Sequence, residues 1–483
     1  MTTAVTSSPA RSLAAIVGFL VCVELASGIL QGYYTPILTD IADSLEIKDA
    51  DVNWFEAAQL VVSALVVPPL ARLGDLVGHR KVLLLSTLVT AVGSWVLVFA
   101  PSFSTFLVGW ALQGAYVVWL PLEVAIIYRR TAGTGRQALL TRRAAAVLVG
   151  ALELAVIIGA LTSGALVESV AMPVLLALPA VAVTLCLVVV WVGVERDEPA
   201  AAAGGFDWTG LALLSGAVAL VMGGLIGLRV AGPGSPWPWL LVALGVAALV
   251  PFGRFEARQD EPMVDVRLLA TPGQWPVQLT AFLFGMSVLG AQIPLSTFAR
   301  TDPDVVGYGL GADASFVSTL IGVYVVFLAI GAFTLPLTTR LLGVRGALVG
   351  SALLVSAGYA LWLPFHDSTG QALLNMAVAG VGSGALVAAL PAAAAAAAPP
   401  HRTGFATGMT NATKTIGGAI ASSVFAIALA SAGSIDDPVE GQAPLSGYLT
   451  VWAVCAAAAL AAAVVLALMP RSRSDADARQ SLT

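Results

Sequence analysis

Stretches of about twenty apolar residues recur from one end of the chain to the other, and this recurrence constrains the fold more than any single motif. A helix needs about 20 mostly apolar residues to cross the hydrocarbon layer of a bilayer. Runs of that kind fall near residues 13–34, 54–74, 81–100, 103–128, 144–167, 172–194, 208–229, 237–253, 275–298, 315–338, 345–364, 370–397, 404–430 and 447–469. They predict fourteen transmembrane helices. The eighth run is short, but the Pro-rich segment 232–238 before it reads as a hairpin loop. In lipid the backbone must satisfy its own hydrogen bonds, so long apolar spans are helical, and the expected class is an all-α membrane protein.

Composition agrees. Of 483 residues 58% are hydrophobic and 11% charged, against about 25% charged in a soluble domain. Lipid is the natural partner for the excess apolar surface. The net charge of -5 is thinly spread, which leaves no basic patch for nucleic acid. Cys22, Cys186 and Cys455 lie inside apolar runs without a CxxC pair, so they read as packing residues, not metal ligands or disulfide partners. Residues 1–11 are polar with one charge, and run 13–34 exceeds the roughly 7–15 residues of a signal h-region. It therefore reads as a first membrane helix.

Lys and Arg set the orientation, because cytoplasmic loops are enriched in them. With the N-terminus inside, the inner segments hold Arg11, Arg72, Arg80, Lys81, Arg129, Arg130, Arg136, Arg142, Arg143, Arg196, Arg254, Arg258, Arg267, Arg340, Arg345, Arg402, Arg471, Arg473 and Arg479. That is nineteen of the 23 basic residues, and a missed helix would scramble the alternation. Lys48, Arg229 and Arg300 fall outside and Lys414 within a helix. Asp40, Asp43, Asp49, Asp51, Asp302, Asp304, Asp436 and Asp437 fall outside as well. Both termini are expected in the cytoplasm of a multi-pass cell-membrane protein. The expected organisation is a six-helix bundle over 1–194, a linker with two extra helices over 195–274, and a second six-helix bundle with a short tail over 275–483.

The loop after the second run reads Ala71-Arg-Leu-Gly-Asp-Leu-Val-Gly-His-Arg-Lys81. Gly78 permits a tight turn between antiparallel helices, and Asp75 can accept from Arg80 or from backbone donors. This loop resembles the signature G-x-L-x-D-r-x-G-r-[KR] of the major facilitator superfamily: Leu73, Asp75, Gly78 and Arg80 match, and Ala71 replaces the first Gly. Other segments resemble the fourteen-helix drug:proton antiporter branch. Leu112-Gln113-Gly114 matches an R-x-x-Q-G core, with Trp110 in place of its Arg. Phe206-Asp207-Trp208 and Val264-Asp265-Val266-Arg267-Leu268 look like its extra-helix region, and Gly408, Asn411, Lys414, Gly417 and Gly418 like its helix 13. In run five the pattern G-x-x-x-G-P-x-x-G-G is kept only at Gly159 and Gly164, with Ala160 for Pro and Ser163 for Gly. The resemblance implies a major facilitator fold of inverted three-helix repeats, with Asp75, Gly78 and Arg80 latching the two halves on the cytoplasmic side.

An ionisable residue deep in the membrane is a functional candidate by default. Glu24 lies about 20 Å along its helix from Arg11, Glu123 about 9 Å from Arg129 and Glu153 about 15 Å from Arg143, at 1.5 Å per residue. A carboxylate removed from water tends to hold its proton, so such a group can take up a proton on one side, release it on the other and compete for a cationic substrate. Glu24, Glu153 and Glu123 are the proton-coupling candidates, each also readable as a structural partner of a neighbouring helix. Gly28 and Gln31 share the Glu24 face, and Tyr116 shares that of Glu123. Glu24, Gln31, Tyr34, Glu56, Gln59, Gln113, Tyr116 and Asn411 are the candidate substrate contacts. Ser63 continues the polar face of Glu56 and Gln59. Tyr33, Tyr34, Trp54 and Phe55 also suit an interfacial aromatic belt. Lys414, the buried cation, reads either as the partner of an acid or as a residue snorkelling to the cytoplasmic end.

No P-loop is present, and His79, His366 and His401 lack metal-ligand spacing. No enzyme, cofactor or metal is expected. The resemblance implies a monomeric secondary transporter exporting amphipathic or cationic small molecules against protons, as in multidrug efflux and antibiotic resistance. Export, import or facilitated passage of a specific metabolite is the alternative, and a non-transporting membrane sensor or scaffold the more distant one.

Overall fold

The apolar runs fold as helices, and no strand occurs among the described residues of the computed structural model. These are residues 13–131, 137–195, 207–232, 234–259, 262–399, 402–430 and 443–468. Arg11, Arg136, Arg196, His401, Asp436, Asp437, Arg471, Arg473 and Arg479 lie outside them, as do linker residues 196–206 and the side chains of Arg72, Asp75, Arg142 and Arg229.

The first half comprises α1 (Leu13–Val17), α2 (Leu20–Gly32), the short α3 (Leu38–Ser44), α4 (Asn53–Val77), α5 (His79–Val98), α6 (Phe103–Gln113), α7 (Trp119–Arg130), α8 (Gln137–Leu166) and α9 (Met172–Gly193). A hairpin of α10 (Trp208–Ala231) and α11 (Pro236–Glu256) follows. The second half comprises α12 (Val266–Leu269), α13 (Trp275–Val288), α14 (Gln292–Arg300), α15 (Pro303–Val306), α16 (Ala314–Leu361), α17 (Thr369–Ala396), α18 (Thr403–Ala430) and α19 (Leu445–Ala467). Side-chain caps start several of them: Ser102 and Ser368 form capping boxes, and Asp207, Asp265 and Asp313 accept from first-turn N–H groups.

Twelve helical stretches among the described residues are long and apolar enough to cross a membrane. The first run, predicted as one helix, is broken at Gly18 (φ 53) into α1 and α2, each too short to span alone. The tenth and eleventh runs form a single 48-residue stretch, α16, with Gly343 at φ 75 and ψ 167 inside it. The fourth run carries a 3-10 turn at Gly114–Val118 between α6 and α7.

Each half has its own core. Leu20, Tyr33, Phe106, Trp119 and Val183 are buried in the first, and Phe298, Trp362, Tyr448 and Trp452 in the second, with the Phe298 and Trp452 rings 4.8 Å apart. Small residues let helices approach: a Cβ on Gly28 or Gly32 would collide with the backbone of Leu152 or Val156, so α2 lies tight against α8. The Gly285–Lys414 and Gly417–Phe282 contacts bring α13 against α18 in the same way. Trp54 and Ala57 of α4, Leu225 and Leu228 of α10, and Ala426 of α18 pack together, which seats the hairpin beside the seam between the halves.

Bonds across the seam gather at the end away from Leu13 and Leu468. Ser296 Oγ donates to the Thr35 carbonyl at 2.6 Å, Ser318 Oγ to the Ala160 carbonyl at 2.7 Å, and Arg300 to Asp40 at 2.8 Å. Gly78, at φ 104, turns α4 into α5. Arg80 next to it donates to the Val194 and Trp191 carbonyls, tying that turn to the end of α9.

Candidate functional site

Of the polar side chains on the seam helices, Glu153 of α8, Tyr324 of α16 and Lys414 of α18 lie within one another's electrostatic reach. Glu153 lies about 20 Å from the Leu166 end of α8, and Lys414 about 16 Å from the Thr403 end of α18, at 1.5 Å per residue. Each lies within the other's field, one from each half, without closing into an ion pair. Tyr324 of α16 also lies within the field of Glu153. Glu153, Tyr324, Lys414 and Asn411, one turn before Lys414, are all half-buried. Lys414 thus lies within the field of an acid of the other half.

A second polar group lies in the first half. Tyr116, in the 3-10 turn, lies within the fields of both Glu56 and Glu24. Glu56 and Tyr116 are half-buried. Glu24 and Glu123 are 0% exposed, and they face each other within hydrogen-bonding reach. All four of their carboxyl oxygens are buried without a donor, because two carboxylates offer only acceptors. Cys186 of α9 flanks the pair. Arg130, from the nearby basic cluster, donates to the Ile16 carbonyl at 2.8 Å and lies 3.9 Å from Glu195.

Several candidate contacts are occupied within the first half. Gln113 is fully buried and donates to Tyr34 Oη at 3.0 Å and to Ser94 Oγ at 2.9 Å, linking α6 to the bend after α2 and to α5. Gln59 is buried, and Ser63 donates to the Gly114 carbonyl at 2.9 Å. Gln31 is exposed and donates to Ser27 Oγ at 3.2 Å. The aromatic-belt expectation fails for Tyr33, Tyr34, Trp54 and Phe55, which are buried. Tyr33 Oη donates to the Leu175 carbonyl, and Phe55, Tyr34 and Phe106 surround Trp110. Trp110, standing where the antiporter branch has Arg, is thus the centre of an aromatic cluster.

Sequence reasoning passed over Tyr324 and the Arg300–Asp40 pair. Tyr324 could have been found as a lone polar side chain in an apolar run. Nothing local marks two residues 260 positions apart as partners. An apolar groove of about 570 Å³ between α5 and α9, lined by Leu88, Trp95, Phe99 and Leu187, holds none of the charged residues. Its exposed rim of Leu88 and Phe99 suits lipid. No cluster of three or more metal-ligating side chains occurs among the described residues.

Comparison with known proteins fits this arrangement. A family model described as Major Facilitator Superfamily matches residues 20–298 and 277–482. The uridine/deoxyuridine transporter of Lactococcus lactis subsp. cremoris (strain MG1363) is 24% identical over 318 residues, which span 64% of this chain and 64% of that protein. Among solved structures, an auto-inhibited POT family peptide transporter superposes with a TM-score of 0.69 at 17% identity, covering 95% of this chain and 97% of that one. A point mutant of the nucleoside transporter NupG superposes with a TM-score of 0.64 at 14% identity, covering 94% and 100%. The human organic anion transporter MFSD10 gives 0.60 at 15% identity, covering 95% and 100%. Likeness at these identities speaks to the fold alone.

Proposed function

The chain belongs to the Major Facilitator Superfamily, and on that premise we propose that it carries a polar metabolite of the nucleoside class across the cell membrane by alternating access to a site between its halves. The observation that carries this reading is the mixed lining of the seam. An ammonium, Lys414, lies within the field of a carboxylate, Glu153, from the other half; Tyr324 lies in the same field, and Asn411 sits one turn before Lys414. A site for a lipophilic cation would be expected to present acids and aromatic faces without an opposing cation. A neutral, hydrogen-bonding solute uses both signs: the ammonium donates to its carbonyls, the carboxylate accepts from its N–H or hydroxyl groups, and a tyrosine covers a ring face. The name of the uridine/deoxyuridine transporter points the same way.

Glu24 and Glu123 serve as the proton site in this account. Placing two ionised carboxylates side by side away from water costs several kcal/mol per ion, and one shared proton removes one charge and supplies the missing donor. Release of that proton when access changes would couple its flux to that of the substrate through Tyr116, which lies in the field of Glu24. We also take the chain to cross the membrane fourteen times, as a monomer with both termini cytoplasmic. The support is the alternation of Lys and Arg and the placement of Gly343 between two apolar runs of α16. Asp75, Gly78 and Arg80 keep their reading as the cytoplasmic latch, with Arg80 acting through the end of α9.

Proton-driven efflux of amphipathic cations is the second reading, favoured by Glu56 and Glu24 near Tyr116, with Glu123 beside Glu24. Thermal unfolding of the purified protein separates the two, because a ligand at 100 times its Kd stabilises the folded state by about 2.7 kcal/mol. Uridine and related nucleosides should raise the melting temperature while a lipophilic cation does not. The reverse ranking selects the second reading.

A further inference from the structure

The α10–α11 hairpin contains a second place where two acids meet. Asp207 caps α10, its Oδ1 accepting from the Gly210 N–H at 2.8 Å. Glu256 closes α11, is 0% exposed, and accepts from the Val264 N–H at 3.3 Å through Oε2. The remaining oxygens, Asp207 Oδ2 and Glu256 Oε1, are both buried and have no donor. They converge over one point, since a Cβ built on Gly210 would lie 2.4 Å from the first and 2.5 Å from the second. The absent side chain at Gly210 makes room for this approach.

Among the described residues, no charged side chain donates to the two free oxygens. Arg402 lies 3.8 Å from Asp265 Oδ2, and Arg267 donates to the Gln259 carbonyl. Arg254 and Arg258, on the last turns of α11 and beyond, are exposed. Two adjacent carboxylates cannot both stay ionised at low cost when buried, and a single proton between them is the usual resolution.

We propose that Glu256 holds a proton on Oε1 and donates it to Asp207 Oδ2, and that this proton latches the base of the hairpin. With the proton bound, α10 and α11 are held together and Glu256 keeps the Val264 N–H. Val264 packs with Phe252, Met409 and Ala412, and Asp265 reaches Arg402 at the start of α18. The strap that runs from α11 to α12 and carries Val264 and Asp265 is thereby fixed to the helix that carries Lys414. Loss of the proton to water sets two negative charges side by side, parts the helix ends and frees the strap. The hairpin then adjusts α18 in response to pH on the face where the basic loops lie.

The test uses the full-length protein, with infrared difference spectra between acid and alkaline pH and hydrogen exchange over residues 262–269 corrected for the intrinsic pH dependence of exchange. Glu256→Gln and Asp207→Asn each keep one hydrogen-bonding partner, and Asn still caps a helix well. The wild type should show a protonated-carboxyl band, lost at alkaline pH, that is missing from both variants. Its 262–269 segment should lose protection as that band disappears, while Glu256→Gln stays protected throughout. A band retained in both variants, or pH-independent protection in the wild type, overturns the proposal. So does loss of the band on adding Mg2+ at constant pH, which would mean that the acids hold a metal ion.

Discussion

Arg300, in the last turn of α14, donates to Asp40 of α3 at 2.8 Å and so joins the two halves at the end away from Leu13 and Leu468. Burial raises the Asp40 carboxyl above its ordinary value, and the Arg300 guanidinium offsets this only in part. The pair therefore fixes geometry more than it stabilises closure. The closed state holds the Asp40 proton more tightly than an open state in which Asp40 meets water. Acid thus favours closure, and closure weakens as pH rises through the window just above the ordinary aspartate range. Spin labels at Ser44 and Asp304 would report this distance. Asp40→Asn should stay closed at every pH, whereas Arg300→Ala, which strands a buried acid, should open at neutral pH.

Glu24→Gln and Glu123→Gln should each retain substrate exchange and lose accumulation driven by a proton gradient, because an amide can fill the space but cannot release a proton. Parallel exchange and gradient-driven assays in proteoliposomes check this. Gradient-driven accumulation preserved in both variants would remove the pair from the coupling step.

Lys414→Ala and Glu153→Gln should weaken substrate binding without unfolding the protein. A hydrogen bond to a charged group is worth about 1.5–3 kcal/mol, which corresponds to a loss of roughly ten- to a hundredfold in affinity. Binding titrations together with melting curves separate this loss from misfolding.

Gln113→Leu should act differently. It takes the donor away from both Tyr34 Oη and Ser94 Oγ inside the first half, at a cost of about 1–3 kcal/mol. Melting temperature should fall while substrate KM stays near wild type. A changed KM with unchanged stability would return Gln113 to the substrate site.

The sequence exposed what is local and periodic. Apolar run length marked the helices, and Gly78 marked the turn between α4 and α5. The depth of Glu24, Glu123 and Glu153 could be counted along their helices. What periodicity does not carry is which helix each residue faces. Glu24 and Glu123 both read as cavity acids, yet they point at each other within the first half. Tyr34 and Gln113 read as substrate contacts because polar residues in lipid are conspicuous, yet Gln113 spends its amide N–H on Tyr34 inside the first half. Asp207 and Asp265 were noticed only as parts of a resemblance, and their partners Glu256 and Arg402 come from the hairpin's return path.

Counterflow of labelled uridine into proteoliposomes preloaded with unlabelled uridine tests the central claim most directly. The account predicts rapid transient accumulation by the wild type, competed by other nucleosides and strongly reduced in Lys414→Ala. Absence of counterflow by well-folded wild-type protein, with a lipophilic cation transported in its place, would contradict it.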